Sequence, residues 1–217
     1  MELVFENVSK RIHRSEVIRD ISFHWHSGTV YGLCGYNGSG KTMLMRLASG
    51  LLRPTHGQIK INGQVLGKDI DFPPQTGLLL ENPSFLNPYT GKRNLQLIAA
   101  IQNKAQDTDI EESLSSVGLT PNDPRKYKKY SLGMKQRLGI AAAVMEKPDL
   151  ILLDEPTNAL DADGMERLTN LVLLNKERGA LIVVASHDHD FLTCVSDYIY
   201  TIEHGEIVHV SSTEVEN

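Results

Sequence analysis

The segment Gly35-Tyr36-Asn37-Gly38-Ser39-Gly40-Lys41-Thr42 is the strongest indication of the fold class of this chain. It matches the phosphate-loop pattern G-x-x-x-x-G-K-[ST], in which backbone N–H groups surround the phosphates of a nucleotide. An apolar run at residues 29–34 precedes it, and a helix is expected to follow over about residues 40–49. We therefore predict that Lys41 neutralises the β- and γ-phosphates and that the Thr42 hydroxyl binds Mg²⁺. All eight residues of the stretch are candidate nucleotide contacts: Gly35, Tyr36, Asn37, Gly38, Ser39, Gly40, Lys41 and Thr42.

Two acidic residues supply what a phosphate loop needs on a neighbouring strand. Asp154 follows the apolar run of residues 150–153, so its carboxylate is expected at the carboxyl-terminal edge of a sheet, where open α/β sheets bind ligands. There it is a candidate Mg²⁺ ligand together with Thr42. Glu155 follows directly and is the candidate general base for the water that attacks the γ-phosphate. Two surface acids that merely close a strand are the alternative interpretation.

Composition narrows the class of protein. The chain has 217 residues, with 22 Lys and Arg against 27 Asp and Glu, and a net charge of −5. Duplex-DNA binding needs clustered cations, so no nucleic-acid partner is expected. No apolar stretch approaches the roughly 18 residues of a membrane helix, and no secretory signal opens the sequence. Two distant cysteines, Cys34 and Cys194, fit no metal spacing, so a reduced, cytosolic protein is expected.

The hydrophobic pattern predicts an α/β fold with a mostly parallel sheet. Continuous apolar runs at residues 150–153 and 181–185 are typical of strands covered on both faces. Apolar residues recur at helical spacing over about residues 90–147, which predicts a helical insertion. Short β-like runs predict an antiparallel subdomain near the amino terminus and a closing hairpin near the carboxyl terminus. These runs lie at residues 3–7, 17–26, 58–65 and 197–210. We expect a single domain over residues 1–217.

Four further segments make the chain resemble the nucleotide-binding domain of an ATP-binding-cassette (ABC) transporter over nearly its whole length. The segment Tyr130-Ser131-Leu132-Gly133-Met134-Lys135-Gln136-Arg137 resembles the family signature, usually L-S-G-G-Q. Asn158-Ala159-Leu160-Asp161 resembles the D-loop, and Ala185-Ser186-His187 resembles the switch-histidine segment. Glu81 takes the place of the Q-loop glutamine. The signature departs from the usual pattern at three positions but keeps Ser131 and Gly133.

The resemblance implies roles for residues outside the phosphate loop. Ser131 and Gly133 would meet the γ-phosphate of an ATP bound to another copy, and His187 would hydrogen-bond the γ-phosphate and the attacking water beside Glu155. Glu81 would reach the Mg²⁺ bound by Thr42 and Asp154. Two more residues are implied at the adenine. Ile12 occupies the place of the stacking aromatic, with His13 as a possible substitute.

The resemblance also implies partners. ATP would join two ATPase subunits, identical or homologous, head to tail. Their closure would drive a separate transmembrane permease subunit from the inner face of the membrane. Candidate permease contacts are Phe85, Leu86 and Tyr89, for which local packing is the alternative. The Glu81 position and the signature are similar to those of bacterial exporters of antibiotic peptides, of the bacitracin and lantibiotic-immunity types.

Two other functions are weighed against this one. A soluble regulatory ABC-type ATPase would share the motifs without meeting a membrane. An unrelated phosphate-loop kinase or GTPase would leave the segment at 131–137 and His187 unexplained, and the guanine-specific Asn-Lys-x-Asp motif is absent from the sequence.

Overall fold

The computed structural model describes residues 1–213, which contain two β-sheets. The first is antiparallel and four-stranded, in the order β2-β1-β4-β5. Its strands are β1 (Glu2–Ile12), β2 (Ser15–His26), β4 (His56–Ile61) and β5 (Gln64–Val65). The tight turn between β4 and β5 contains Asn62 and Gly63, both with positive φ, as the Asn-Gly pair predicts. The predicted antiparallel subdomain is therefore present, with β1 longer than the predicted run.

The second sheet has six strands in the order β10-β9-β3-β8-β7-β6. They are β3 (Val30–Cys34), β6 (Thr76–Leu79), β7 (Leu150–Asp154), β8 (Leu181–Ala185), β9 (Tyr198–Glu203) and β10 (Glu206–Ser212). The pairs of β3 with β8 and β9, of β7 with β8, and of β6 with β7 are all parallel, and β10 pairs antiparallel with β9. The mostly parallel sheet predicted from the sequence is confirmed.

The central strands are buried on both faces. Every residue of β7 and β8 is buried. Ile151 and Leu153 pack into one hydrophobic core with the helices, whereas Leu150 and Leu152 pack into a second core with the antiparallel sheet. Because successive side chains of a strand point to opposite faces, a strand between two cores must be apolar throughout. This explains the continuous apolar runs.

Six α-helices cover the sheets within residues 1–213. Their bounds are α1 (Lys41–Ala48), α2 (Gly91–Gln102), α3 (Asp107–Ser116), α4 (Leu132–Val144), α5 (Ala162–Glu177) and α6 (His189–Val195). Helices α2 to α4, with a 3₁₀ turn at Tyr127–Lys129, fill the segment in which a helical insertion is predicted. No helix in this described part of the chain combines the length and apolar character needed to cross a membrane.

Strand register positions the site. Leu33 near the end of β3 pairs with Ala185 at the end of β8, and Asp154 at the end of β7 pairs with the same residue. The segments that follow these three parallel strands therefore emerge side by side at one edge of the sheet. They are the phosphate loop, Glu155 and Ser186-His187.

Candidate active site

The phosphate loop joins β3 to α1 and depends on glycine where the chain turns. Gly35 has φ 154°, a conformation that side chains rarely adopt. A Cβ on Gly35 would also collide with the Ile202 carbonyl and the Ser39 hydroxyl. The loop ends at Gly40, the residue before the first turn of α1. Free N–H groups at that helix terminus and the positive end of its dipole favour a bound phosphate.

Lys41 places its ammonium group on the loop itself. Its side chain is only 6% exposed, and Nζ donates hydrogen bonds to the carbonyls of Gly35, at 2.7 Å, and Tyr36, at 3.3 Å. Among residues 1–213 no carboxylate lies within hydrogen-bonding distance of this buried cation. It is therefore suited to receive an anionic ligand, because the ligand's charge offsets the cost of burial.

Asp154 and Thr42 form a second part of the site. Asp154 is 2% exposed, and its Oδ2 accepts a hydrogen bond from the Thr42 hydroxyl at 2.7 Å. Its Oδ1 is buried and lacks a hydrogen-bond partner among the described residues. Burial raises the pKa of the Asp154 carboxyl, the Thr42 hydrogen bond opposes the rise, and the charge of Glu155 adds to it. An unpartnered carboxylate oxygen beside a hydroxyl is a donor set that fits Mg²⁺, which prefers hard oxygen ligands.

Glu155 lies between a cation and an imidazole. Its Oε1 is 3.8 Å from the Lys41 Nζ, and its Oε2 is 2.7 Å from the His187 Nδ1. The adjacent ends of β7 and β8 create this pair, since Asp154 and Ala185 are in register. The structure thus brings together Lys41, Asp154, Glu155 and His187, which the sequence predicts at one site.

Glu81 lies close to this group but makes a different contact. Its carboxylate accepts a hydrogen bond from the guanidinium of Arg46 on α1 and is 60% exposed. Its negative charge is near enough to contribute to the raised pKa of Asp154. In this conformation the Glu81 side chain is paired with a cation. Metal binding by Glu81 stays a prediction.

A cavity of about 380 Å³ lies beside the phosphate loop. One wall comes from Val17 and Arg19 of β2, and another from His204 and Gly205 in the turn between β9 and β10. Ile12, at the end of β1, and His13, in the following turn, do not belong to its lining in the described part of the chain. Their predicted role at the adenine is therefore without support from this cavity.

His204 is a residue of this site that the sequence patterns do not indicate. The Tyr36 hydroxyl lies 2.8 Å from the His204 Nδ1 and accepts a hydrogen bond from the His204 backbone N–H at 3.1 Å. The Gly205 N–H donates to the Ser39 carbonyl at 2.8 Å. The turn between β9 and β10 thus fastens the phosphate loop. No local motif could reveal a contact across 168 positions of the sequence.

The signature segment lies in a separate cavity of about 310 Å³. Ser131 is the N-cap of α4, where its hydroxyl accepts a hydrogen bond from the Met134 N–H at 3.2 Å. Gly133 and Arg137 line the same cavity, and no lining residue is shared with the cavity at the phosphate loop. Within the described residues of one chain, the two predicted nucleotide-binding segments therefore belong to different surfaces.

Comparison with known proteins decides the family. The sequence profile described as ABC transporter matches residues 18–158. The chain belongs to the ABC transporter family. The match includes the phosphate loop, the signature segment and the Asp154-Glu155 pair, so the resemblance inferred from the motifs is confirmed.

Three relatives in the ABC transporter family are similar to this chain over more than nine-tenths of its length. An uncharacterised ABC transporter ATP-binding protein of Bacillus subtilis, YybJ, is 46% identical over 201 residues, 93% of this chain and 92% of that protein. The bacitracin transport ATP-binding protein BcrA of Enterococcus faecalis is 36% identical, over 96% of this chain and 69% of that protein. The lantibiotic transport ATP-binding protein SrtF of Streptococcus pyogenes is 32% identical, over 95% and 89%.

Solved structures share the fold. A structure described as the ATP binding subunit of an ABC transporter is 25% identical and has a TM-score of 0.86, covering 98% of this chain and 90% of that one. An ATP-binding cassette in a dimeric, post-hydrolysis state bound to ADP and Pi is 22% identical, with a TM-score of 0.87 and coverage of 98% and 99%. At 22% identity the similarity to this second structure shows a shared fold.

Family membership establishes the general activity. This chain is an ATP-binding subunit of an ABC transporter and an ATPase, which converts ATP and water to ADP and phosphate in the service of transport. The α/β fold class, with its antiparallel subdomain and mostly parallel sheet, is confirmed.

Proposed function

We propose that this ABC ATPase hydrolyses Mg²⁺-bound ATP with Glu155 as general base, pairs with a second ATPase subunit around the nucleotide, and drives a separate permease. One observation carries the proposal. The Glu155 carboxylate lies 3.8 Å from the phosphate-loop lysine and 2.7 Å from His187, at the edge of the sheet where the phosphate loop begins.

Each residue of the site has a role in hydrolysis that follows from its chemistry. Lys41 and the N–H groups of the phosphate loop bind the β- and γ-phosphates. Thr42 and Asp154 hold Mg²⁺, which supplies positive charge to the phosphate oxygens when it is bound. Glu155 accepts a proton from the attacking water, and the His187 imidazole orients the Glu155 carboxylate through their hydrogen bond.

The separation of the two nucleotide-binding segments supports a two-subunit site. Ser131 is exposed at the start of α4, where its hydroxyl and the free N–H groups of the helix terminus are suited to a phosphate. Because its cavity shares no lining residue with the phosphate-loop cavity, a second copy or a homologue would have to bring the two segments together around one ATP. ATP but not ADP carries the γ-phosphate that both subunits would contact, so hydrolysis would release the pair.

The surface after Glu81 is the candidate permease contact. Leu86 is 54% exposed and Tyr89 is 43% exposed, which leaves apolar area available to a partner. Phe85 differs, because its ring packs edge-on against Tyr127 at 5.4 Å and it belongs to the rim of the helical core. We therefore assign Leu86 and Tyr89 to the permease contact and Phe85 to local packing.

The relatives support a transport role and suggest the cargo. BcrA and SrtF are named as transport ATP-binding proteins for bacitracin and a lantibiotic. By analogy, the cargo of the complex would be an antibiotic peptide or another amphipathic compound, moved outward, with this subunit on the inner face of the membrane. A soluble regulatory ATPase is not favoured by these names.

The substitution Glu155→Gln tests the catalytic assignment. It leaves the phosphate and metal ligands in place, so we expect ATP binding to persist while the turnover rate falls by at least 100-fold, the upper range of a single general base's contribution being about 10⁴-fold. Size-exclusion chromatography of this variant with ATP and Mg²⁺ should show a dimer. Glu166→Gln, an exposed change on α5, is the matched control and should behave as the unaltered protein.

Two outcomes would contradict the proposal. Unreduced turnover in Glu155→Gln would remove Glu155 from the role of general base. A monomer at every ATP concentration would count against the nucleotide-dependent pair. The cargo is tested separately, by measuring whether bacitracin or a lantibiotic stimulates ATP hydrolysis by the chain in complex with its membrane partner. An unchanged rate with either peptide would argue against this class of cargo.

A further inference from the structure

Gln136 connects the signature helix to the main chain of Glu155. The residue lies on α4 and is 5% exposed. Its side-chain amide donates two hydrogen bonds, to the Glu155 carbonyl at 3.0 Å and to the Pro156 carbonyl at 3.2 Å. Both N–H bonds of the amide are used, and both end on the segment that directly carries the proposed general base.

The backbone at Glu155 needs such support. Glu155 has φ 48°, in the left-handed region, which is uncommon for a residue with a long side chain. A strained conformation of this kind persists only where the surrounding contacts hold it. The Glu155 N–H donates to the Ala185 carbonyl at 2.8 Å, which fixes one side of the residue. Gln136 fixes the other side through the carbonyl.

Other contacts join α4 to the same segment. A Cβ on Gly133 would lie 2.6 Å from the Ala159 carbonyl, so the helix and the D-loop are packed backbone to backbone. Arg137 binds the Asp161 carboxylate with its guanidinium. The first two turns of α4 and the segment from Glu155 to Asp161 therefore form one tightly joined unit.

We propose that Gln136 is a positioning residue that sets the direction of the Glu155 carboxylate and links it to the signature end of α4. Ser131 lies only five residues earlier, about 7.5 Å along the helix axis at 1.5 Å per residue. Ser131 is the N-cap of α4 and Gln136 lies in the helix that follows it, so the two residues are joined by a short stretch of regular backbone. A displacement of Ser131 is therefore passed by Gln136 to the carbonyl of Glu155.

The consequence is communication between two nucleotides. In the two-subunit arrangement proposed above, on which this inference rests, Ser131 contacts the ATP held by the partner, whereas Glu155 acts on the ATP held by its own chain. Gln136 then makes the general base of one site responsive to whether the other site is filled. Replacing it should lower both the turnover rate and the cooperativity of the reaction in ATP.

Gln136→Met tests the proposal, because methionine has a similar length and flexibility but no N–H donor. We expect kcat to fall at least tenfold and the Hill coefficient for ATP to approach one, while the dissociation constant for ATP stays within twofold. Asn175→Leu is the matched control. It removes a buried amide on α5 that donates to the Leu171 carbonyl at 2.8 Å, and should lower the melting temperature without changing the kcat of the folded protein.

A second variant gives a readout that lost stability alone would not produce. Gln136→Glu keeps the shape of the side chain but presents a carboxylate to two carbonyl oxygens. Its protonated form restores one donor. Its kcat relative to the unaltered protein, measured where both are folded, should therefore rise as the pH falls from 8 to 6. If Gln136→Met does not fold, Gln136→Asn takes its place. Asparagine keeps the N–H donors, but its shorter side chain holds them farther from the two carbonyl oxygens.

The outcomes separate this inference from the proposed function. If Glu155→Gln abolishes turnover but Gln136→Met, or Gln136→Asn in its place, retains kcat within twofold, the positioning role is wrong and the general base stands. The same holds if kcat falls equally in Gln136→Met and Asn175→Leu, or if the relative kcat of Gln136→Glu is independent of pH. If Glu155→Gln itself retains turnover, the proposed function fails first.

Discussion

Gly133 is the position where helix propensity and tertiary packing predict opposite results. It is the second residue of α4, where replacing glycine with alanine adds at most the helix-interior gain of about 1 kcal/mol. Here the new Cβ would lie 2.6 Å from the Ala159 carbonyl oxygen. Ordinary contacts of this kind begin at about 3.4 Å, so either the helix or the D-loop must move by several tenths of an ångström. The neighbour is backbone and cannot rotate away.

The expected magnitude follows from these two effects. Overpacking of a rigid contact costs typically about 1–3 kcal/mol. With the gain in helix propensity subtracted, we expect Gly133→Ala to destabilise the chain by roughly 1 kcal/mol. For a protein of this size, that corresponds to a fall in melting temperature of about 2–4 °C.

The assay is thermal unfolding without nucleotide, so that no effect on ATP binding enters the result. Asn170→Ala is the control, because it changes an exposed position on α5 and should give only the small gain of helix propensity, about half a kcal/mol. A melting temperature for Gly133→Ala that rises as much as, or more than, that of the control would refute the close packing of α4 against the D-loop.

Three further predictions concern a buried carboxyl, the phosphate loop and the metal. Burial raises the pKa of the Glu146 carboxyl, so the charged form is disfavoured in the folded state. Glu146→Gln should therefore raise the melting temperature at pH 7. The difference from the unaltered protein should shrink toward pH 4, because there the carboxyl is protonated in both the folded and the unfolded state. Tyr36→Phe removes the hydroxyl that contacts His204. A binding titration should show that the dissociation constant for ATP rises by about two- to tenfold, since one hydrogen bond contributes about 0.5–1.5 kcal/mol. Chelation of Mg²⁺ should reduce the rise in melting temperature that ATP produces. In Asp154→Asn the rise produced by ATP should depend less on Mg²⁺, because the substitution removes a negative charge beside the phosphates.

Much of the site follows from short stretches of sequence. The phosphate loop, the Asp154-Glu155 pair and His187 each occupy the end of a strand that the apolar pattern identifies. Parallel strands bring their carboxyl ends to one edge of a sheet, so recognising the strands predicts that the phosphate loop and the two carboxylates lie together, whereas the role of His187 is implied by the family resemblance. The structure bears this out, with distances of 2.7 to 3.8 Å among Lys41, Glu155 and His187.

Side-chain pairing depends on packing and is less predictable. Glu81 is expected to face the metal from its place in the chain, yet Arg46 on α1 takes its carboxylate. Ile12 is expected beside the adenine, whereas the cavity beside the phosphate loop is lined by Val17 and His204. Local spacing carries no information about contacts such as the one between Glu81 and Arg46, which lie 35 positions apart, and the predicted roles of Glu81 and Ile12 stay predictions.

The chemistry of this protein can be read from short sequence motifs: a phosphate-binding turn, two carboxylates and an imidazole at strand ends, and a signature segment at the start of a helix. These features are local, because glycine conformation, helix termini and strand ends depend on neighbouring residues. Three other features become visible in the packed structure: His204 contacts the Tyr36 hydroxyl, Gln136 binds the main chain of Glu155, and the signature lies in a different cavity from the phosphate loop. Those contacts depend on strand register and helix packing, which the spacing of residues along the chain does not specify.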